Sequence, residues 1–257
     1  MTPSPGFAPG PMPIPLTWIE EIGSTQVELV TRARAGASEQ ALATTSQTAG
    51  HGRRGREWWC PPGSGLAMSV LIRPACGERW TWLPLLAGIA VVDALESLGA
   101  SGVSLKWPND VLTRAGKLAG LLAERVDPPR DGPTSSLQSR PAFVVGFGLN
   151  LTSRALPPGA ACVDDLGVDP DAGQVAEAVL GSTARWVRRW VNEPASVATA
   201  YRERCTSIGQ DVRVHLPGGA EIVGEVAAVD DDGCLVLAGP AGRVVVPAGD
   251  VVHLRAR

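Results

Sequence analysis

The sequence predicts an α+β domain built on a mixed sheet, followed by a small closed barrel of SH3-like type. Three observations carry this prediction. Between about residues 17 and 206, short β-type runs alternate with segments of helical periodicity. One of these segments, WTWLPLLAGIAVVDALESLGA, is apolar enough to be a core helix. From about Ser207 the chain becomes five short β-type runs separated by PGG, DDDG, GPAG and PAGD, all turn signals. The expected division is a leader over residues 1–16, a catalytic or binding domain over 17–206, and the barrel over 207–257.

Each element follows from local chemistry. MTPSPGFAPGPMPIP is rich in proline and reads as a disordered leader. TWIEEIG is strand-like, and Ser24 then offers an N-cap for a helix through Arg34 that ends at Gly36. ALATTSQTAG is a strand feeding a glycine–arginine loop, and GLAMSVLIRP is a second strand closed by Pro74. In the core helix, Pro84 falls near the first turn, where it is tolerated. VSLKWPND reads as a strand stopped by Pro108. KLAGLLAERV and AFVVGFGLNLT form a hairpin joined by the flexible DPPRDGPTSSLQSRP. QVAEAVLGSTARWVRRWVN and the stretch after Pro194 are helical.

Composition narrows the function. The 257 residues are 44% hydrophobic and 19% charged with a formal net charge of −3, so no global field gathers nucleic acid or anionic lipid. Any basic site must be local. Five scattered cysteines without a C-x-x-C pair read as reduced thiols, and three dispersed histidines show no metal-ligand spacing. With no signal-peptide pattern and no apolar run long enough for a bilayer, a cytoplasmic location is expected, away from membranes. The chain holds 21 arginines but only two lysines, Lys106 and Lys117, and only three asparagines. A chain so biased toward arginine keeps lysine where a guanidinium will not serve.

GHGRRGREWW, residues 50–59, contains the G-x-G-x-x-G of a dinucleotide-binding turn. That reading fails, because WWCPPGSG follows and no helix starts there to receive a phosphate. A single-stranded nucleic-acid patch lacks a second basic stripe to support it. A solvated basic loop is the plain alternative. The favoured reading is a pocket for a small anion, with glycines folding backbone over the ligand and arginines donating to carboxylate or phosphate. In KWPND, Pro108 fixes a turn that holds Asn109 and Asp110 over a pocket, although an Asx turn with a surface Lys–Asp pair looks the same in sequence. GKLAGLL carries Lys117 beside the small Ala119 and Gly120, and VGFGLN sets glycines inside an apolar strand ending at Asn150.

GHGRRGREWW, KWPND, RAGKLAGLLAE and GFGLN together, in this order and spacing, resemble the biotin protein ligases, over residues 17 to 257. The resemblance implies a catalytic domain like that of the class II aminoacyl-tRNA synthetases. It implies activation of biotin by ATP and Mg²⁺ to biotinyl-5′-AMP, then transfer to one lysine of the biotin carboxyl carrier domain of an acetyl- or acyl-CoA carboxylase. By the same resemblance, Ser24 and Thr25 hold the ureido end of biotin, and Gln47, His51, Gly52 and Gly120 line its pocket. Arg53 and Arg56 hold carboxylate and phosphates, Trp58 packs over the adenylate, and Asn150 lies near the adenine. Lys117 reaches carboxylate and α-phosphate, Asn109 positions phosphate, and Asp110 supports magnesium or the incoming amine. Arg54 is set apart, since alternate residues of an extended loop face opposite ways. His51 stands where the commoner family loop has arginine, which exchanges a fixed charge for one that depends on pH.

Some family members carry an N-terminal DNA-binding domain; with about 16 residues before the first strand, a ligase without DNA binding is expected, as a monomer or weak homodimer. Two rivals remain. A lipoate or octanoate ligase or transferase of the same fold would take a different acyl group, and a non-catalytic adaptor would use barrel and loop to bind a partner without turning over ATP.

Overall fold

GLAMSVLI and AFVVGFGLN are apolar at nearly every position rather than alternating, the pattern of strands covered on both faces. They become β3 (Gly65–Ile72) and β7 (Ala142–Asn150), the centre of a seven-stranded sheet in the order β1-β2-β3-β7-β6-β5-β4. The other strands are β1 (Leu16–Trp18), β2 (Gln40–Thr44), β4 (Ser104–Lys106), β5 (Asp110–Leu112) and β6 (Lys117–Val126). Only β1 and β2 pair in parallel, so the sheet is mixed. This computed structural model describes residues 14–74, 80–128, 140–169, 171–239 and 242–254. Residues 1–13 of the expected leader and residues 129–139 of the expected flexible connection lie outside them.

Helices cover both faces. α1 (Thr25–Arg34) packs on one face through Leu29, Val30 and Ala33, against Leu42, Leu71 and Val144. Ser24 caps it, its hydroxyl accepting from the Val27 N–H at 3.4 Å. On the other face lie α2 (Leu83–Ser97), α3 (Ala172–Asn192) and α4 (Pro194–Arg204). α2 is buried nearly all round, as its composition requires, with Pro84 in the first turn. α3 is capped by Asp171, which accepts from the Gly173 and Gln174 N–H groups, and buries Val175, Val179, Ser182, Trp186 and Trp190 along one stripe.

In KWPND the strand stops before Pro108 as expected: β4 ends at Lys106 and the chain turns through a cis Trp107–Pro108 peptide. What the sequence did not show is that it returns as β5, with Asp110 paired to Lys106. Three residues are too few to show alternation, so β5 was invisible in the sequence. β1 is likewise shorter than TWIEEIG, ending at Trp18.

The C-terminal runs form a separate antiparallel sheet, order β11-β10-β9-β8-β12. Its strands are β8 (Asp211–His215), β9 (Glu221–Val229), β10 (Leu235–Gly239), β11 (Gly242–Val246) and β12 (Asp250–His253). Its inward valines, Val212, Val214, Val226 and Val229, join the same apolar core as Trp82, Trp107 and Tyr201. Polar ties reinforce that junction. The Trp107 indole donates to the Gly233 carbonyl at 2.9 Å, the Trp82 indole to Asp231 O at 2.8 Å, and Arg202 Nε to Val229 O at 2.6 Å.

At the same junction, His253 Nε2 lies 3.0 Å from Ser207 Oγ, which also accepts from the Trp107 backbone N–H. Burial first, and then the Lys106 charge, lower the His253 pKa from its ordinary 6.5. The unfolded chain therefore takes up this proton before the folded one does. Stability should fall as pH drops from about 6.5 toward the depressed folded value, then level off. Thermal melts from pH 7.5 to 5 should show a shallower dependence in His253→Gln than in the native protein; identical slopes would remove His253 from the account.

Candidate active site

On the α1 face of the sheet, cross-strand register sets small residues side by side: Ala67 opposite Gly148 opposite Gly120, and Ser69 opposite Gly146. Missing side chains there leave a trough, and the α1 N-terminus and the arginine loop close it into a cavity of about 410 Å³. That lies within the roughly 300–1,000 Å³ usual for small-molecule sites. The glycines are required by what lies over them. A Cβ on Gly120 would stand 2.9 Å from the Trp58 ring, and one on Gly148 would collide with the same indole. Trp58 thus lies flat on the strands, with Lys117 Nζ 5.6 Å from its ring centroid.

The arginine loop is not extended. Gly52 N–H donates to Arg56 O at 2.7 Å and Trp58 N–H to Gly50 O at 3.0 Å, so residues 50–58 fold back through a 3-10 turn with Arg54 in the left-handed region. Arg54 does stay out of the cavity lining, as the sequence suggested, but a folded-back turn rather than strand alternation sets it apart from Arg53 and Arg56. All three reach one carboxylate of the second sheet, Asp250: Arg56 at 2.9 Å, Arg54 at 3.2 Å and Arg53 at 3.7 Å. Arg53 also donates to Asn109 Oδ1 at 2.9 Å and Gly249 O at 3.3 Å, which aims it across the cavity mouth. Burial lowers the Arg53 pKa, Asp250 works against that shift, and the neighbouring Arg54 and Arg56 charges add to it. Arg56 is largely exposed, so its pair with Asp250 sets direction more than stability.

Of the residues the resemblance singles out, all line the cavity except Asp110 and Arg54. Asp110 lies behind Lys117, its Oδ1 2.6 Å from Nζ, with Lys106 4.0 Å from Oδ2. Burial lowers the Lys106 pKa, and Asp110 opposes that. Asn109 bonds at both ends of its amide, to Arg53 and to Leu121 O. Asn150 donates to Lys117 O and Ala161 O, fixing the start of β6 and the segment after Pro158. At the closed end, Thr25 N–H donates to Gln47 Oε1 at 3.0 Å. His51 lines the cavity, and its backbone forms an isolated antiparallel β-bridge with that of Glu57.

Sequence reasoning missed Ser69, Gln26 and Asp250. Ser69, alone with a hydroxyl in GLAMSVLI, carried a usable signal; Asp250 is nearly 200 residues from the arginines and carried none. Among the described residues no cluster of three or more His, Cys, Asp or Glu forms a metal site. The described cysteines are free, and no described helix is long and apolar enough to cross a membrane.

Family models, curated relatives and solved structures point the same way for the chain as a whole. Residues 20–131 match the biotin/lipoate A/B protein ligase family, and residues 207–254 match the biotin protein ligase C-terminal domain. The chain is 40% identical to the biotin--[acetyl-CoA-carboxylase] ligase of Mycobacterium tuberculosis over 92% of this chain and 88% of that one. It is 33% identical to the ligase of the same name from Paracoccus denitrificans, over 89% and 96%. Its fold matches that of a biotin protein ligase from Aquifex aeolicus in complex with biotin and ATP, with TM-score 0.78, 27% identity, and coverage of 94% and 99%. Agreement over nearly the whole of each relative, in both sheets and at moderate identity, leaves one conclusion: this chain belongs to the biotin protein ligases.

Proposed function

We infer that this protein is an ATP-dependent biotin protein ligase, which activates biotin to biotinyl-5′-AMP and transfers it to a lysine of a carboxylase carrier protein. The observation that carries the residue-level reading is that Lys117, Arg53 and Arg56 line one cavity together with the polar Ser24, Thr25, Gln47 and Ser69. Joining a carboxylate to an α-phosphate brings two anions together, and the transition state gathers charge on phosphorus oxygens. Fixed cations are the remedy, provided they are held before the reaction. Here they are: Asp110 orients Lys117, and Asn109 with Gly249 orients Arg53.

In the first step the biotin carboxylate oxygen attacks the α-phosphorus and pyrophosphate leaves. In the second, the carrier's lysine amine attacks the acyl carbon and AMP leaves. Ser24, Thr25 and Gln47 at the closed end take the ureido ring. Trp58 separates the acyl channel from the nucleotide, and the arginine hairpin closes the mouth against water, which would hydrolyse the anhydride. Asp110 acts through Lys117 rather than at the cavity wall. The magnesium expected with ATP finds no resident carboxylate cluster among the described residues; it fits as an ion brought in on the phosphates, as part of the substrate.

Two finer readings of the fold belong here. We propose that the sheet from residue 207 closes as an SH3-like barrel, its edge strands β11 and β12 being the ones that would meet, and that residues 17–206 form a catalytic domain related to class II synthetases. The deciding experiment for function is exchange of labelled pyrophosphate into ATP. Biotin should support it and lipoate should not. Exchange with lipoate alone would move the protein to the other branch of the family, and no exchange with either would leave a binding adaptor.

A further inference from the structure

Ser69 is fully buried in β3 yet faces the closed end of the cavity. Its surroundings fix where its single proton points. Gln26 of α1, also buried, holds its side-chain amide among three partners. Nε2 lies 3.0 Å from Glu124 Oε1 and 3.2 Å from the Val144 carbonyl, and Oε1 lies 3.2 Å from Ser69 Oγ. A carboxylate and a carbonyl can only accept, so the atom facing them must be the NH2 group. The flipped amide would set oxygen against two oxygens. Gln26 therefore offers Ser69 an acceptor, and the Ser69 proton is committed to it. Thr25 Oγ1 then gives its own proton to the protein as well, shared between Ser69 Oγ at 2.9 Å and Gln47 Oε1 at 3.3 Å.

We propose that Glu124 and Gln26 are positioning residues that set ligand specificity, by drawing the Ser69 and Thr25 protons back so that oxygen lone pairs face the cavity. A closed end with acceptors of fixed direction favours a ring bearing N–H groups, a cyclic urea, over an acyl chain ending in methyl or sulfur. With Gln26 gone, the Ser69 hydroxyl is free to rotate its proton into the cavity and face a ligand N–H donor to donor. This inference deepens the biotin reading and rests on it. Glu124 itself lies at the exposed end of the relay, beyond Leu122 on the same strand face, where no ligand need touch it.

The test is the exchange assay with saturation curves for biotin and for ATP. Gln26→Leu should raise the KM for biotin by about 10- to 100-fold, the worth of one or two buried polar mismatches at tenfold per 1.4 kcal/mol. The KM for ATP and kcat at saturating biotin should stay near native, a split that general damage to the fold would not give. Glu124→Ala should move the biotin KM in the same direction, and Glu124→Gln, which keeps an acceptor oxygen for Gln26, should recover most of the loss. Should Gln26→Leu fail to fold, Ser69→Ala removes the acceptor itself and carries the same expectation. An unchanged biotin KM, or equal rises for biotin and ATP, overturns the proposal while leaving the ligase reading intact. A native protein inactive with biotin overturns both.

Discussion

Lys117→Ala should lower kcat for biotin-dependent pyrophosphate exchange by about 10²–10³-fold, with a smaller rise in the KM for biotin. Two independent magnitudes support that size. Removing one preorganised donor from a developing oxyanion costs about 2.7–4 kcal/mol in enzymes generally. A unit charge pair at ~4 Å and an effective dielectric of about 20 amounts to about 4 kcal/mol. Lys117 is 38% exposed at its side chain, so water screens part of this and the lower end is the better expectation. The variant should fold, since Lys117 fills no part of the core. Lys117→Arg should not restore the rate. A planar guanidinium spreads its charge over a fork that reaches beyond the position of the ammonium, so it cannot place the same compact charge over Trp58 and beside Asp110 Oδ1. Full rescue by arginine, or a loss confined to KM, would reduce Lys117 to a general counter-charge. Arg54→Gln provides the contrast: Arg54 pairs with Asp250 outside the cavity and should change the rate little.

How much of this was legible in the chain depends on how far apart the interacting residues lie. The Ser24 cap, the β3 and β7 runs and the α3 stripe each depend on neighbours within a few positions, so periodicity and capping chemistry read them directly. The glycines of GFGLN were legible as a place where something presses on the backbone; that Trp58 from another loop does the pressing was not. The arginine loop shows the limit. Its residues announced an anion site, but their directions are set by a backbone reversal and by Asp250, two facts that appear only once the second sheet is docked. Asp110 makes the same point. Its place in KWPND suggested a group near the reacting atoms, but its ion pairs to Lys117 and Lys106 follow from a strand register that no local pattern shows. The Gln26–Ser69 relay was out of reach because it joins α1, β3 and β6, whose packing no local pattern encodes.

The largest effect on stability is expected at Trp107, the aromatic that joins the two sheets. It is 1% exposed, its indole donates to Gly233 O, and its backbone N–H donates to Ser207. Truncation to alanine removes a large apolar surface and leaves a cavity, which costs about 3–5 kcal/mol. Against a typical total of about 5–15 kcal/mol this is roughly a fifth or more of the stability, and a fall in Tm of roughly 6–20 °C at this chain length. Trp107→Phe separates the two contributions. Phenylalanine keeps most of the packing but leaves the Gly233 carbonyl without its donor, a loss of about 1–3 kcal/mol. The expected order is therefore native, then phenylalanine, then alanine. Activity should follow a different order. Both variants loosen the turn that carries Asn109, and Asn109 holds Arg53, so even the folded fraction of Trp107→Phe should show a raised KM for ATP. If Trp107→Phe melts with Trp107→Ala, the hydrogen bond to the second sheet outweighs the packing. If it melts with the native protein but loses ATP affinity, the indole acts mainly to aim Arg53, and the junction between the sheets is part of the active site rather than its support.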